Sequence, residues 1–148
     1  MLDPKSDSPL DLGSLRAALR ALADAVDVVS SPEFATAYAR WRATLISRVV
    51  QHFGLTFELC RKMLKRQLER ELPSFSKLDG SSYRELFRLG HERGLVSTID
   101  AWFEFRELPK ITAHTHSREK AHKVAAGAPA LLAARQALLI AIESRNHG

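Results

Sequence analysis

Residues 45–68 read LISRVVQHFGLTFELCRKMLKRQL, and apolar side chains return in this stretch at steps of four and three: Leu45, Val49, Phe53, Phe57, Cys60, Leu64 and Leu68. That spacing follows the turn of an α-helix and puts all seven on one side, which is the buried side the sequence predicts. Upstream, Ser31-Pro32-Glu33 has the chemistry of a helix start. A serine oxygen is available for free amides, proline occupies the first turn and an acid sits beside the positive helix end. One long helix is therefore expected from there, its stripe extended upstream by Tyr38 and Trp41, with Gly54 allowing close packing or a slight bend. Leu72-Pro73 should end it, with 74–80 as a loop.

The last turns of this helix carry Arg61, Lys62, Lys65, Arg66 and Arg70, cations that complement the negative helix end, and Glu58 is spaced to pair with Lys62. Along the helix these cations alternate with core positions and join no aromatics. They read as a solvated face in preference to a nucleic-acid patch.

Working outward, Leu12, Leu15, Leu19, Leu22 and Val26 form an earlier apolar stripe that ends near Val29. Ser82 with Glu85 has capping-box form and opens a short helix through Leu86, Phe87 and Leu89 that should end before Gly94. Ser97 or Thr98 then caps a helix carrying Ile99, Trp102, Phe103 and Phe105, with Pro109 expected to kink or end it. Ser117 opens a final helix through Val124, Leu131, Leu132, Leu138, Leu139 and Ile142, where Gly127 and Pro129 should strain the path. No segment alternates in the manner of a strand. The fold class expected is all-α, an antiparallel bundle of about five helices, with residues 1–10 flexible and 11–148 forming one domain.

At 148 residues the chain suits one core, and 45% apolar with 26% charged residues fits a soluble globular protein. A lone Cys60 excludes an internal disulfide and reads as a small buried hydrophobe, compatible with a reducing cytoplasm. The N-terminal residues have no signal-peptide run, and the uninterrupted apolar stretches fall short of a membrane span. Twenty-two Lys and Arg against 17 Asp and Glu give a net charge of +5, which suits nucleic acid, nucleotides or an acidic partner without choosing among them.

The stretch from Trp102 to His122, WFEFRELPKITAHTHSREKAH, holds three of the six histidines. Metal is a poor fit: His114 and His116 are two apart, pointing to different sides of a helix, and no cysteine or carboxylate triad accompanies them. No metal and no cofactor is expected. Walker, dinucleotide and His-Glu-x-x-His motifs are missing. Metal-free phosphodiester chemistry needs a histidine to move a proton and an arginine to hold phosphate, and His114 with Arg106 are the candidates. Pro109 stands between them, so whether they meet is left open by the sequence.

A set of motifs in order carries a resemblance: Gln51-His52-Phe53, Thr56-Phe57-Glu58-Leu59 with Lys62, Tyr83-Arg84-Glu85-Leu86, Gly90, Gly94-Leu95-Val96, Trp102, and Thr112-Ala113-His114-Thr115. Together they resemble the nucleotidyltransferase substrate-binding proteins of the HEPN superfamily, over the chain from about Leu12 to the last helix. The resemblance implies a HEPN-like helical homodimer. It also implies a two-component, toxin-antitoxin-like pairing with a separately encoded minimal nucleotidyltransferase, in which nucleotide or RNA is a further ligand. Trp102, Glu58, Lys62, Lys110, Thr112 and His116 become substrate- or partner-binding candidates. In that family an Arg-Asn pair followed by His-x-Tyr serves ribonuclease chemistry. Aligned on His114, this chain has Pro109, Lys110 and His116 where arginine, asparagine and tyrosine would stand. A binding subunit without catalysis is the reading this favours; the alternative is a metal-independent ribonuclease using His114 with Arg106 or Lys110.

Overall fold

A computed structural model describes residues 11–72, 82–114 and 118–147. Six helices and no strand occur among them: α1 Gly13–Val29, α2 Pro32–Thr36, α3 Ala39–Glu71, α4 Tyr83–Glu92, α5 Ile99–His114 and α6 Arg118–His147. The all-α expectation holds. Residues 1–10, the 74–80 loop and Ser117 lie outside the described residues.

Helix α3 is the axis of the bundle. Val49, Phe53, Phe57, Cys60, Leu64 and Leu68 are buried as the stripe requires, joined by Ile46, Thr56, Met63 and Gln67. Helix α1 lies antiparallel along it on Leu15, Ala18, Leu22 and Val26, and buried Thr56 donates its hydroxyl to the Ala18 carbonyl at 3.4 Å. Leu19 is only partly buried, because Ala18 takes the close position against α3.

The expected single helix from Ser31 is in fact two. Ala37 turns to ψ 154° and breaks the chain after Thr36; the Tyr38 carbonyl then accepts from the amides of Trp41 and Arg42 to start α3. The physical reason is loss of a partner. No residue of α2 is buried, and α1 has ended at Val29, so among the described residues no buried helix face covers the first turn of α3. Tyr38 and Trp41, expected on the buried stripe, are 82% and 62% exposed. Ser31 does not cap; its hydroxyl donates back to the Val28 carbonyl. Gly54 faces open space, so close packing does not explain it.

Other local signals behave as expected. Leu72 leaves α3 in extended conformation before Pro73, and the Ser82 oxygen accepts from the Glu85 amide at 3.2 Å. Helix α4 closes in a Schellman motif: Gly94 adopts φ +81°, its amide reaches the His91 carbonyl, and the Leu95 amide reaches Gly90 at 2.8 Å. Leu95 and Val96 are thereby folded back into the core.

Neither proline ends its helix. Helix α5 runs past Pro109 to His114, and α6 runs unbroken through Pro129. One lost hydrogen bond does not stop a helix whose flanking turns are packed, and here Trp102, Phe105, Val124, Ala128 and Leu131 are all buried. Gly127 lets α6 approach α5 so closely that a Cβ there would lie 2.9 Å from Leu108. Ala121–Asn146 also contains an 18-residue window with a mean hydropathy of 1.6, long and apolar enough to cross a membrane, which short uninterrupted runs did not foretell. In the bundle this segment packs on α3, and Arg135 falls within it.

Polar links tie the ends together. Arg16 pairs with Glu143, joining α1 to α6. At the far end of α3, Arg145 reaches both Glu71 and the Arg93 carbonyl, and Asn146 donates to Gln67 at 2.9 Å.

Candidate functional site

An aromatic cluster joins α3, α4 and α5. Trp102 stacks on Phe87 with ring centres 5.1 Å apart and meets Phe105 edge-on at 5.5 Å; Phe57 lies against Phe87 and Trp102, and Phe53 against Phe105. Trp102 is 1% exposed. Expected to face a substrate or partner, it is instead a buried member of the aromatic cluster.

Two further rings carry the cluster outward. Tyr83, the first residue of α4, meets Phe103 of α5 edge-on at 5.9 Å. Over these rings lie three guanidinium groups: Arg106 at 3.8 Å from the centre of Tyr83, Arg84 at 4.7 Å from Phe103, and Arg88 at 6.0 Å from Phe103. A guanidinium laid on a ring keeps its edge donors available while its plane is held, a geometry suited to carboxylate or phosphate.

Helix α3 contributes Glu58, Arg61 and Lys62 to this region. Arg61 Nε donates to Glu58 at 2.9 Å, so the pairing foreseen with Lys62 is made one residue earlier. The Arg61 hydrogen bond holds the Glu58 carboxyl below the usual carboxylate range; burial opposes this, and the charges of Arg61, Lys62 and Arg106 reinforce it. Lys62 and Arg66 are exposed and Arg61 pairs with Glu58, as a solvated face requires; the cations that lie over aromatic rings are Arg84, Arg88 and Arg106, from α4 and α5.

Of the sequence candidates, Arg106, Glu58 and Lys62 come together here. Lys110, Thr112 and His114 belong to the last turns of α5, with side chains outside the described residues, as is His116 altogether. His114 is eight residues beyond Arg106 in one continuous helix, about 12 Å along its axis and roughly 80° around it. Arg106 itself is seated on Tyr83.

Among the described residues no cluster of His, Cys, Asp or Glu has metal-binding form. Cys60 is no nucleophile: burial pushes its thiol up to about 12, against the opposing charge of Arg135. Arg135 itself went unnoticed in the sequence. It stands in phase with Ala128, Leu131, Leu138 and Ile142, a charged residue on an apolar stripe, and that phase was the available signal. Arg84 and Arg88 were missed as well, since the ring they share, Phe103, comes from another helix.

Residues 10–144 match the family model described as nucleotidyltransferase substrate binding protein like. A Haemophilus influenzae protein named probable ribonuclease HepT is 31% identical over 103 residues, 70% of each chain. A solved H. influenzae structure, described as revealing the fold of a substrate binding domain of a nucleotidyltransferase, superposes with a TM-score of 0.85 at 28% identity, covering 90% of this chain and 99% of that one.

Proposed function

Because the chain belongs to the nucleotidyltransferase substrate binding protein like family, we propose that it is the substrate- and partner-binding subunit of a two-component system, docking a separately encoded minimal nucleotidyltransferase. The observation that carries this reading is the seating of Arg106 on Tyr83, beside Glu58, Arg61 and Lys62. Arg106, one turn upstream of the motif's arginine position, is here part of a basic, aromatic-backed face, and Pro109, Lys110 and His116 stand where the family's nuclease motif has arginine, asparagine and tyrosine. Such a face suits an acidic protein surface or the phosphates of a presented nucleotide or RNA. We read the working unit as a homodimer in a toxin-antitoxin-like pair.

Co-purification with the product of an adjacent nucleotidyltransferase gene tests the proposal. A complex at micromolar concentration, weakened about tenfold in the double variant Arg84→Ala with Arg106→Ala, is the expected result. Absence of any complex with the wild-type chain overturns it.

The likeness to the relative named probable ribonuclease HepT supports a second reading, metal-independent RNA cleavage with His114 as acid or base. It requires cleavage that survives chelator and is lost in His114→Ala. Intact RNA after incubation with the free protein removes it.

A further inference from the structure

Away from the face just described, α1 and α3 form a half-open pocket of about 330 Å³ lined by Ala21, Asp24, Ala25, Val28, Leu45, Arg48 and His52. No residue of α4, α5 or α6 lines it. Antiparallel pairing sets the C-terminal half of α1 against the N-terminal half of α3, and Ala21 and Ala25, one turn apart, are too small to fill the space between the two helices. A shallow recess with an alanine floor results.

Three polar groups around this recess lack partners. His52 Nδ1 is shielded from solvent and has no hydrogen bond among the described residues, and the solvent-exposed Asp24 and Arg48 pair with no described residue. A shielded nitrogen without a partner costs free energy that a bound ligand would recover. On the same stripe of α3, one turn before Leu45, Trp41 holds its ring in solvent. An anion, a cation and an imidazole around an apolar floor call for a ligand with an anionic end, hydrogen-bond donors elsewhere and an apolar plane between. The volume is that of a small metabolite.

We propose that this pocket binds a nucleoside monophosphate, with Arg48 on the phosphate, the base over Ala21 and Ala25, and Asp24 reading donors on the base edge. Guanine fits this arrangement better than adenine, because its ring N–H and exocyclic amine form a paired donor edge for a carboxylate, whereas adenine sets an acceptor nitrogen beside its amine. A free amino acid would satisfy the two charges but leaves the recess and the Trp41 ring unused. The site is separate from the docking face, and its occupancy does not depend on any nucleotidyltransferase being present.

Heteronuclear NMR on the full chain tests it, with guanosine monophosphate, adenosine monophosphate, guanosine, inorganic phosphate and leucine as probes. Guanosine monophosphate should give saturable shifts at the amides of Ala21, Ala25, Arg48 and His52 and at the Trp41 indole. Guanosine or phosphate alone should bind about tenfold more weakly, as should guanosine monophosphate to Arg48→Ala, and Asp24→Asn should lose the preference for guanine over adenine. Arg48 and Asp24 are surface positions, so both variants should keep the wild-type spectrum elsewhere. The proposal is overturned by an unchanged spectrum at millimolar nucleotide, by shifts confined to Arg84, Arg88 and Arg106, by undiminished binding to Arg48→Ala, by an unaltered base preference in Asp24→Asn, or by equal binding of leucine.

Discussion

The guanidinium of Arg106 stands 3.8 Å from the centre of the Tyr83 ring, closer than any other cation-ring contact described in the molecule. This contact ties α5 to the first residue of α4 and fixes a charge at the surface. A double-mutant cycle of Arg106→Ala with Tyr83→Leu, followed by urea unfolding, should give a coupling of about 0.5–1 kcal/mol. Tyr83→Phe should keep that coupling and cost little, since the Tyr83 hydroxyl is buried without a hydrogen-bond partner. Zero coupling would mean that the ring does not hold the arginine in solution.

Cys60 gives the bundle a dependence on alkaline pH. Its thiol is pushed up to about 12 from an ordinary 9.0, so the folded state keeps a proton that the unfolded chain releases. The contribution is whole below pH 9 and declines as pH rises toward 12, by up to about 4 kcal/mol in all. Unfolding midpoints of wild type and Cys60→Ala should converge over that window, though the alanine variant starts lower because it leaves a cavity. Native protein at pH 8 should also resist thiol reagents until denaturant is added.

The α3 stripe, the Ser82 cap, the Gly94 turn and the stop at Leu72 were all legible because each is a local signal read within one or two turns. What escaped reading depends on elements distant in sequence. Tyr38 and Trp41 continue the α3 phase, yet they are exposed because α1 ends at Val29; only the three-dimensional register shows that the partner has run out. Pro109 and Pro129 looked like breaks because proline rules describe an isolated helix and say nothing of packing on either side. The basic face was hidden for the same reason. Its cations lie on α3, α4 and α5, and its rings on α4 and α5, so no single helix displays the pattern. Arg106, Glu58 and Lys62 were found as residues, but their common location was not.

Gly90 should tolerate no side chain. A Cβ there would come within 2.9 Å of Leu64 and 3.0 Å of Val96, both buried, so α4 meets α3 and the returning loop with no space to spare. Gly90→Ala is expected to lower stability by about 1–3 kcal/mol, seen as an earlier urea midpoint at unchanged slope. Gly54→Ala is the control: with open space around it and a helical setting, it should hold or raise stability by up to about 1 kcal/mol. Equal effects at the two positions would show that the α3–α4 packing is looser than described.

Arg135 is the remaining test of how the core is held. Its residue surface is 0% exposed; Nη2 donates to Gln136 at 2.7 Å, while Nε and Nη1 have no partner among the described residues. Burial pulls the guanidinium below its ordinary value, and the neighbouring Cys60 opposes that only in part. A buried cation with unmet donors costs more than the single hydrogen bond returns, and an apolar side chain of similar length would remove the cost while keeping the contacts with the α6 stripe. Arg135→Met should therefore raise stability by about 1–4 kcal/mol, measured as a later midpoint in urea with the slope unchanged. Arg135→Ala should not, because it exchanges the unmet donors for a cavity. If methionine instead lowers the midpoint, and does so more at higher protein concentration, an acceptor from a second chain is reaching Arg135 and the core of the single bundle is incomplete without it.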